Sequence, residues 1–152
     1  MDEQLLAKLK ETVKGDVATD EETLNIHSHD ASLFEVKPQV VVYPKDEEDL
    51  ANIVKFVSEN KKDHKHLSLT GRSAGTDMSG GSINDSIILA FGKYFNKKPV
   101  IDGKIATTQP GVFYRDFEKE TLLKGLLFPS YPASRELCAM GGIVNNNSGG
   151  EK

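Results

Sequence analysis

Thr70-Gly71-Arg72-Ser73-Ala74-Gly75-Thr76-Asp77-Met78-Ser79-Gly80-Gly81 is a run of almost uniformly small residues between two β-prone segments, His66 to Thr70 and Ile87 to Phe91. In such a run several consecutive backbone N–H groups can turn to one side and approach an anion closely, which is how a glycine-rich nest holds a diphosphate without many lysines. The hydroxyls of Ser73, Thr76 and Ser79 add donors. No Gly-Lys-Ser/Thr follows the run and the Gly-x-Gly-x-x-Gly spacing is absent, so neither common nucleotide fingerprint applies. Taken alone, the run also reads as a flexible surface loop. The surrounding segments decide between the two.

Upstream, Gln39 to Tyr43 is a β-branched run closed by Pro44, and its continuous apolarity suits a strand covered on both faces. Asp46 is placed to cap a following helix, with Leu50, Ile53, Val54 and Val57 as its buried stripe. Strand, helix, strand and glycine-rich loop make a βαβ unit. Downstream, Ile87 to Phe91 reads as a third strand, and Asp102-Gly103 marks a tight turn into a fourth over Lys104 to Thr108. Phe113, Phe117 and Thr121 share one face of a helix that ends at Gly125. Before the first strand, Leu5, Leu6, Leu9 and Val13 predict a helix over 3–14 capped by Gly15, and Thr19 with Glu22 has the spacing of a capping box. The expected organisation is a helical lead-in over residues 1–30 and an α+β domain over 31–152. That domain has a small parallel sheet over about 39–91 beside a second, mixed or antiparallel sheet starting near residue 104. The glycine-rich loop is expected between the two sheets, with Pro110 and the Pro132 to Ser134 turn facing the same crevice. Beyond Phe128 the chain is rich in Pro, Ser, Gly and Asn, and Ile143 and Val144 have no following element to cover them. The reading is therefore of a fragment, with its sheet incomplete at the C-terminus and any cap or substrate domain missing.

Composition narrows the function classes. A net charge of -4 with 19 basic residues spread along the 152-residue chain lacks the footprint that nucleic acid demands. No apolar run approaches the ~20 residues needed to cross a bilayer. The N-terminus has no basic region followed by an apolar stretch, so a cytoplasmic location is expected. The single cysteine, Cys138, makes no internal disulfide and has no neighbouring histidine to activate it, so it reads as a buried structural thiol. His27 with His29, and His64 with His66, have a spacing that could grip a metal, but no third ligand stands near either pair; no metal site is expected.

Several landmarks recur in a fixed order: Asp30-Ala31-Ser32, Pro38 with the strand ending at Pro44, the glycine-rich loop, Gln109-Pro110-Gly111, Phe128-Pro129 leading to Pro132-Ala133-Ser134, and Cys138 to Gly150. Together they resemble the PCMH-type FAD-binding domain of the vanillyl-alcohol oxidase and p-cresol methylhydroxylase superfamily, in its D-lactate dehydrogenase and glycolate oxidase subunit branch. The resemblance implies FAD, with Arg72, Ser73, Ala74, Gly75, Thr76, Asp77, Met78 and Ser79 around its pyrophosphate. It places Pro110, Gly111, Pro132, Ser134, Gly141, Gly142, Asn145, Asn147 and Gly149 along the rest of the cofactor. Thr76 stands where some members carry a histidine joined to the flavin, so non-covalent binding is implied. The implied activity is hydride removal from a small 2-hydroxy acid onto FAD, with electrons passed to an acceptor that the sequence does not identify. Substrate contacts would come from parts beyond this chain, so the fragment alone is expected to be inactive, with no catalytic residue assigned. Two other readings stay open: a non-catalytic nucleotide-binding or interaction module, and a nicotinamide-dependent flavin reductase of the cell-wall sugar type.

Overall fold

The computed structural model describes residues 1–150. Two compact units are distinguished, one of Met1–Arg72 with Asp77–Ala90, the other of Ser73–Thr76 with the chain from Phe91 onward.

The first unit contains α1 (Glu3–Thr12), β1 (Asp16–Ala18), α2 (Glu21–Ile26), β2 (Val40–Tyr43), α3 (Glu47–Asn60), β3 (Leu69–Arg72) and β4 (Ile87–Ala90). Its four-stranded sheet has the order β1-β2-β4-β3. β2 and β3 both run parallel to β4, with Val41 opposite Ile88 and Thr70 opposite Ile88, while β1 pairs antiparallel with β2. Val40, Val41, Val42, Ile87 and Ile88 are fully buried, as the unbroken apolar runs require of a sheet covered on both faces. Leu24 of α2 packs with Val41, Ile88 and Ala90.

The lead-in is not purely helical. Asp16–Ala18 forms the edge strand of the sheet, so residues 1–30 are part of the first unit and not a separate segment. Gly15 does not cap α1, whose C-cap is Val13 in an extended conformation. Its lack of a side chain is instead needed where the chain crosses β2: a Cβ there would lie 1.9 Å from the carbonyl oxygen of Tyr43. The cap of α2 is Asp20, whose side chain accepts from the Thr23 amide, one residue beyond the expected Thr19. Asp46 caps α3 as expected, accepting from the Asp49 amide at 2.8 Å. The buried stripe of α3 is Asp49, Ile53, Phe56 and Val57, and Val54 is half exposed. Asp49 is on the buried stripe because its carboxylate serves another segment. It accepts from the amides of Lys14 at 2.9 Å, Gly15 at 3.0 Å and Lys45 at 2.8 Å. These bonds tie the α1–β1 turn to the start of α3.

The second unit holds a hairpin, β5 (Val100–Asp102) with β6 (Ile105–Thr107), and two helices, α4 (Tyr114–Leu122) and α5 (Met140–Asn145). Asp102 pairs with Ile105 across the Gly103-Lys104 turn, so this antiparallel sheet begins at residue 100, slightly before the expected position. Its core is Val112, Tyr114, Phe117, Tyr131, Cys138, Met140 and Ile143. The segments entering α4 and α5 are zipped together: the Tyr114 amide donates to the Cys138 carbonyl at 3.0 Å and the Met140 amide to the Val112 carbonyl at 2.9 Å. Ile143, expected to lie uncovered, is buried in this core, while Val144 faces outward.

Candidate cofactor site

β3 ends at Arg72, so the glycine-rich loop leaves the carboxyl end of a parallel strand, where open sheets of this kind bind ligands. Its two halves differ. Ser73, Ala74, Gly75 and Thr76 are half-buried, Gly75 has φ 70°, and among the described residues no group accepts a hydrogen bond from these four amides. A left-handed residue within consecutive unengaged amides is the geometry of an anion nest. The second half is already satisfied. Asp77 accepts from the amides of Ser79 at 3.2 Å and Gly81 at 2.6 Å and from the Ser79 hydroxyl at 2.8 Å. Asp77 and Ser79 are thereby turned toward each other, and Met78 is largely exposed.

Around this second half the Asp30-Ala31-Ser32 segment acts as a brace. The Ala31 amide donates to the Asp77 carbonyl at 3.0 Å, and the Ser82 hydroxyl reaches Asp30 at 3.3 Å. Burial pushes the Asp30 carboxyl up, but its hydrogen bonds with Ser32 and Ser82 outweigh this and leave it below the usual carboxylate range. Arg72, expected beside the pyrophosphate, has its guanidinium 3.5 Å from the Ser82 carbonyl, a weak contact. Burial lowers its pKa, and the nearby Asp30 charge works against that shift. The bracing role of Asp30 was not read from the sequence; its signal was the Asx-type spacing to Ser32, whose amide it binds at 2.8 Å.

Within the second unit the structure joins three of the sequence landmarks. The Gly141 amide donates to the Pro110 carbonyl at 2.9 Å. A Cβ on Gly141 would lie 2.5 Å from Ser73 Oγ and 2.7 Å from Pro110 Cβ, whereas one on Gly142 would meet nothing within 4 Å. The two glycines therefore have different reasons: Gly141 permits close packing of loop, Pro110 and α5, and Gly142 leaves open space beside them. Gly111 is required by the protein itself, since its Cβ would meet the carbonyl oxygens of Phe91 and Phe95. The Asn-rich end is ordered as a helix C-terminus. Asn147 sits at φ 48°, with its amide on Val144 and the Ser148 amide on Ile143 at 2.9 Å, a Schellman arrangement. Asn145 is the last residue of α5, and Gly149 lies near Ser130, whose hydroxyl donates to the Ser148 carbonyl at 2.7 Å. Pro132 and Ser134 belong to a turn in which their carbonyls accept the Arg135 and Cys138 amides. Among the described residues neither is hydrogen-bonded to Ser73, Pro110 or Gly141.

The remaining candidates have other partners. His27 Nδ1 meets the Thr23 carbonyl at 2.9 Å, His29 pairs with Glu35 at 3.4 Å, and His64 pairs with Asp2 at 3.7 Å. Burial pushes the Cys138 thiol up, away from a reactive thiolate. Burial also lowers the His27 pKa, only partly offset by Thr23. Protonation is therefore disfavoured in the folded state: His27's contribution is full above its unfolded pKa of about 6.5 and is lost as pH falls through the lower folded value. The melting temperature should fall between pH 7.5 and pH 5.5 and fall less in His27→Gln; equal slopes for the two proteins would rule His27 out as the cause.

An α+β fold with an unengaged amide nest at the carboxyl end of a parallel strand, glycines packed beside it and no phosphate-binding lysine motif defines a dinucleotide-binding domain. The chain belongs to the FAD binding domain family, which matches residues 38–152, and its cofactor is FAD. It is 31% identical over 130 residues to glycolate oxidase subunit GlcD of Bacillus subtilis, covering 82% of this chain and 26% of that protein. It is 30% identical over 113 residues to D-lactate dehydrogenase of Archaeoglobus fulgidus, covering 73% of this chain and 24% of that protein. The solved structure of alkyldihydroxyacetonephosphate synthase shares the fold at a TM-score of 0.79 and 19% identity, over 99% of this chain and 30% of that one. The chain thus spans 24% to 26% of the length of the two curated relatives named. Ser73 to Thr76, with acceptor-free amides and no competing side-chain charge of their own, fit the diphosphate of FAD. The space over Gly142 fits a flat group lying against backbone.

Proposed function

We propose that this chain is the cofactor-holding part of an FAD-linked oxidoreductase acting on a small 2-hydroxy acid of the D-lactate or glycolate kind. The observation that carries the reading is the Ser73–Thr76 nest packed, through Ser73, against Gly141 and Pro110. Bound FAD supplies a two-electron acceptor for the hydride from the hydroxyl-bearing carbon. The chain's own residues bind and orient. The amides of Ser73 to Thr76 neutralise the diphosphate, Asp77 holds the second half of the loop closed, and Gly142 leaves the backbone of α5 open to the cofactor. Pro132, Ser134, Asn145 and Gly149 line its remaining length. With threonine at position 76 the flavin is held without a covalent bond. The hydroxy-acid class is supported by the names of the relatives, of which this chain spans 26% and 24%. Among the described residues no helix is long and apolar enough to cross a membrane.

The test is an absorbance titration with FAD of this chain and of a longer polypeptide continuing past Lys152. The expected result is a flavin band that stays with the longer protein through gel filtration, leaves it on denaturation, and bleaches without oxygen when D-lactate or glycolate is added. No retained flavin in either chain would sink the reading and favour a non-catalytic binding module. One substitution separates protein packing from cofactor packing. Gly142→Ala lies within α5 with space around it, so it should stabilise the cofactor-free protein by about 0.5–1 kcal/mol. It should also weaken FAD binding by filling the space the cofactor uses. Stabilisation with unchanged affinity, read by melting and by flavin fluorescence, would remove Gly142 from the site.

A further inference from the structure

Among the described residues the turn bearing Pro132 and Ser134 makes no hydrogen bond to the nest, yet it is anchored at several points to α4. Phe128, before the turn, gives its carbonyl to the Tyr114 hydroxyl at 3.1 Å. Tyr131 stacks on Tyr114 with ring centroids 5.0 Å apart and planes at 36°. Arg135, after the turn, donates to Glu118 Oε2 at 2.6 Å, with its guanidinium carbon 4.9 Å from the centre of the Tyr131 ring. Glu118 Oε1 also lies 3.1 Å from the Tyr114 hydroxyl, whose single hydrogen it shares with the Phe128 carbonyl. The Glu118 side chain is only 12% exposed, so this pair is much less screened than the surface ion pairs of the chain. Tyr114 is fully buried. The four side chains close a ring of contacts around the turn: Tyr114 to Glu118, Glu118 to Arg135, Arg135 to Tyr131, Tyr131 to Tyr114.

We propose that Tyr114, Glu118 and Arg135 form a latch that sets the conformation of the Tyr131–Ser134 turn and so governs how tightly FAD is held, which makes them positioning residues. The inference rests on the proposed FAD site, because it takes Pro132 and Ser134 to line the cofactor. Core packing explains an aromatic ring at 114 but not a hydroxyl there, and not a carboxylate at 118 that is largely shielded from solvent. The latch accounts for both. Arg135 Nε is enclosed without a hydrogen-bond partner among the described residues, 3.7 Å from Glu136 Oε1, while the rest of the guanidinium is held by Glu118 and the Tyr131 ring.

The test measures the FAD dissociation constant by flavin fluorescence, visible circular dichroism of the bound flavin, and the melting temperature of the cofactor-free protein. It uses this chain and the longer polypeptide, each as the unmodified protein and as Glu118→Gln, Arg135→Met, Arg135→Lys and Tyr114→Phe. Loss of one charged hydrogen bond in the latch should weaken FAD about tenfold in Glu118→Gln and Arg135→Met. Arg135→Lys should recover part of that loss, and the flavin dichroism should change in the weakened variants while they remain folded. If an ion-pair variant fails to fold, Tyr114→Phe, which removes only the hydroxyl, carries the comparison. Unchanged affinity and dichroism in folded variants of a protein that binds FAD would overturn the latch and leave the FAD site standing. Affinity losses that follow only the melting temperature, with unchanged dichroism, would also overturn it. No FAD binding by the unmodified chains would overturn the site beneath it.

Discussion

Asp49→Ala is expected to lower folding stability by about 4 kcal/mol, measured by urea denaturation. The carboxylate has no exposed surface and accepts three backbone hydrogen bonds, from Lys14, Gly15 and Lys45. Alanine leaves three amides without their acceptor in a place that water does not readily fill, and each such orphan costs about 1–3 kcal/mol. The loss should appear as a lower urea midpoint with little change in slope, because β1 and the start of α3 loosen within one cooperative unit. Asp49→Asn should lie between the two, since its amide nitrogen presents a donor to one of the same donors. A cost below about 1 kcal/mol for the alanine variant would mean that the turn finds other acceptors.

Gly141→Ala is the second large effect, and it falls on the site. The added carbon would lie 2.5 Å from Ser73 Oγ, 2.7 Å from Pro110 Cβ and 3.0 Å from the Pro110 carbonyl oxygen. Two of these neighbours belong to backbone or to a proline ring and cannot swing aside. Overpacking of this kind costs about 1–3 kcal/mol; the Ser73 hydroxyl can rotate aside, but relief from Pro110 requires Pro110 or the first turn of α5 to shift beside the nest. FAD affinity should therefore fall well over tenfold, more than in Gly142→Ala, with the protein still folded at room temperature. Isothermal titration with FAD, read beside thermal melts of both variants, tests the contrast. Equal losses from the two substitutions would show that Gly141 has no special packing role.

Much of the frame was legible because local chemistry and tertiary demand agree there. The valine run of β2, the Asp46 cap, the Asp102-Gly103 hairpin and a strand running into the glycine-rich loop all carry their reason within a few residues, although that strand is Leu69–Arg72 and not the expected His66 to Thr70. Asp49 and Val54 were not legible. A helical stripe chosen by apolarity takes Val54 inward and leaves Asp49 out, yet the demand for an acceptor comes from Lys14 and Gly15, far away in sequence. β1 is similar: Asp-Val-Ala has little strand signal, and it exists because β2 offers an open edge. α5 was hidden by its paired glycines, whose low helix propensity is overcome by burial of Met140 and Ile143 and by the Schellman turn at Asn147. In the site, the small residues announced a nest, but not that Asp77 would satisfy the loop's second half and leave the first half to the ligand.

The strand order β1-β2-β4-β3 bears on how the nest comes into being. β2 and β3 are not neighbours; each finds its parallel partner in β4, which follows both in the chain. A polypeptide emerging from a ribosome has therefore no parallel pairing available until residues 87–90 are out. Residues 73–86 must by then already span from the carboxyl end of one strand to the amino end of the next, a crossover made here without any helix. Insertion of β4 fixes both ends of that span in a single event. The step that completes the sheet thus anchors both ends of the loop, while the packing of Ser73 beside Pro110 and Gly141 waits for residues that follow in the chain.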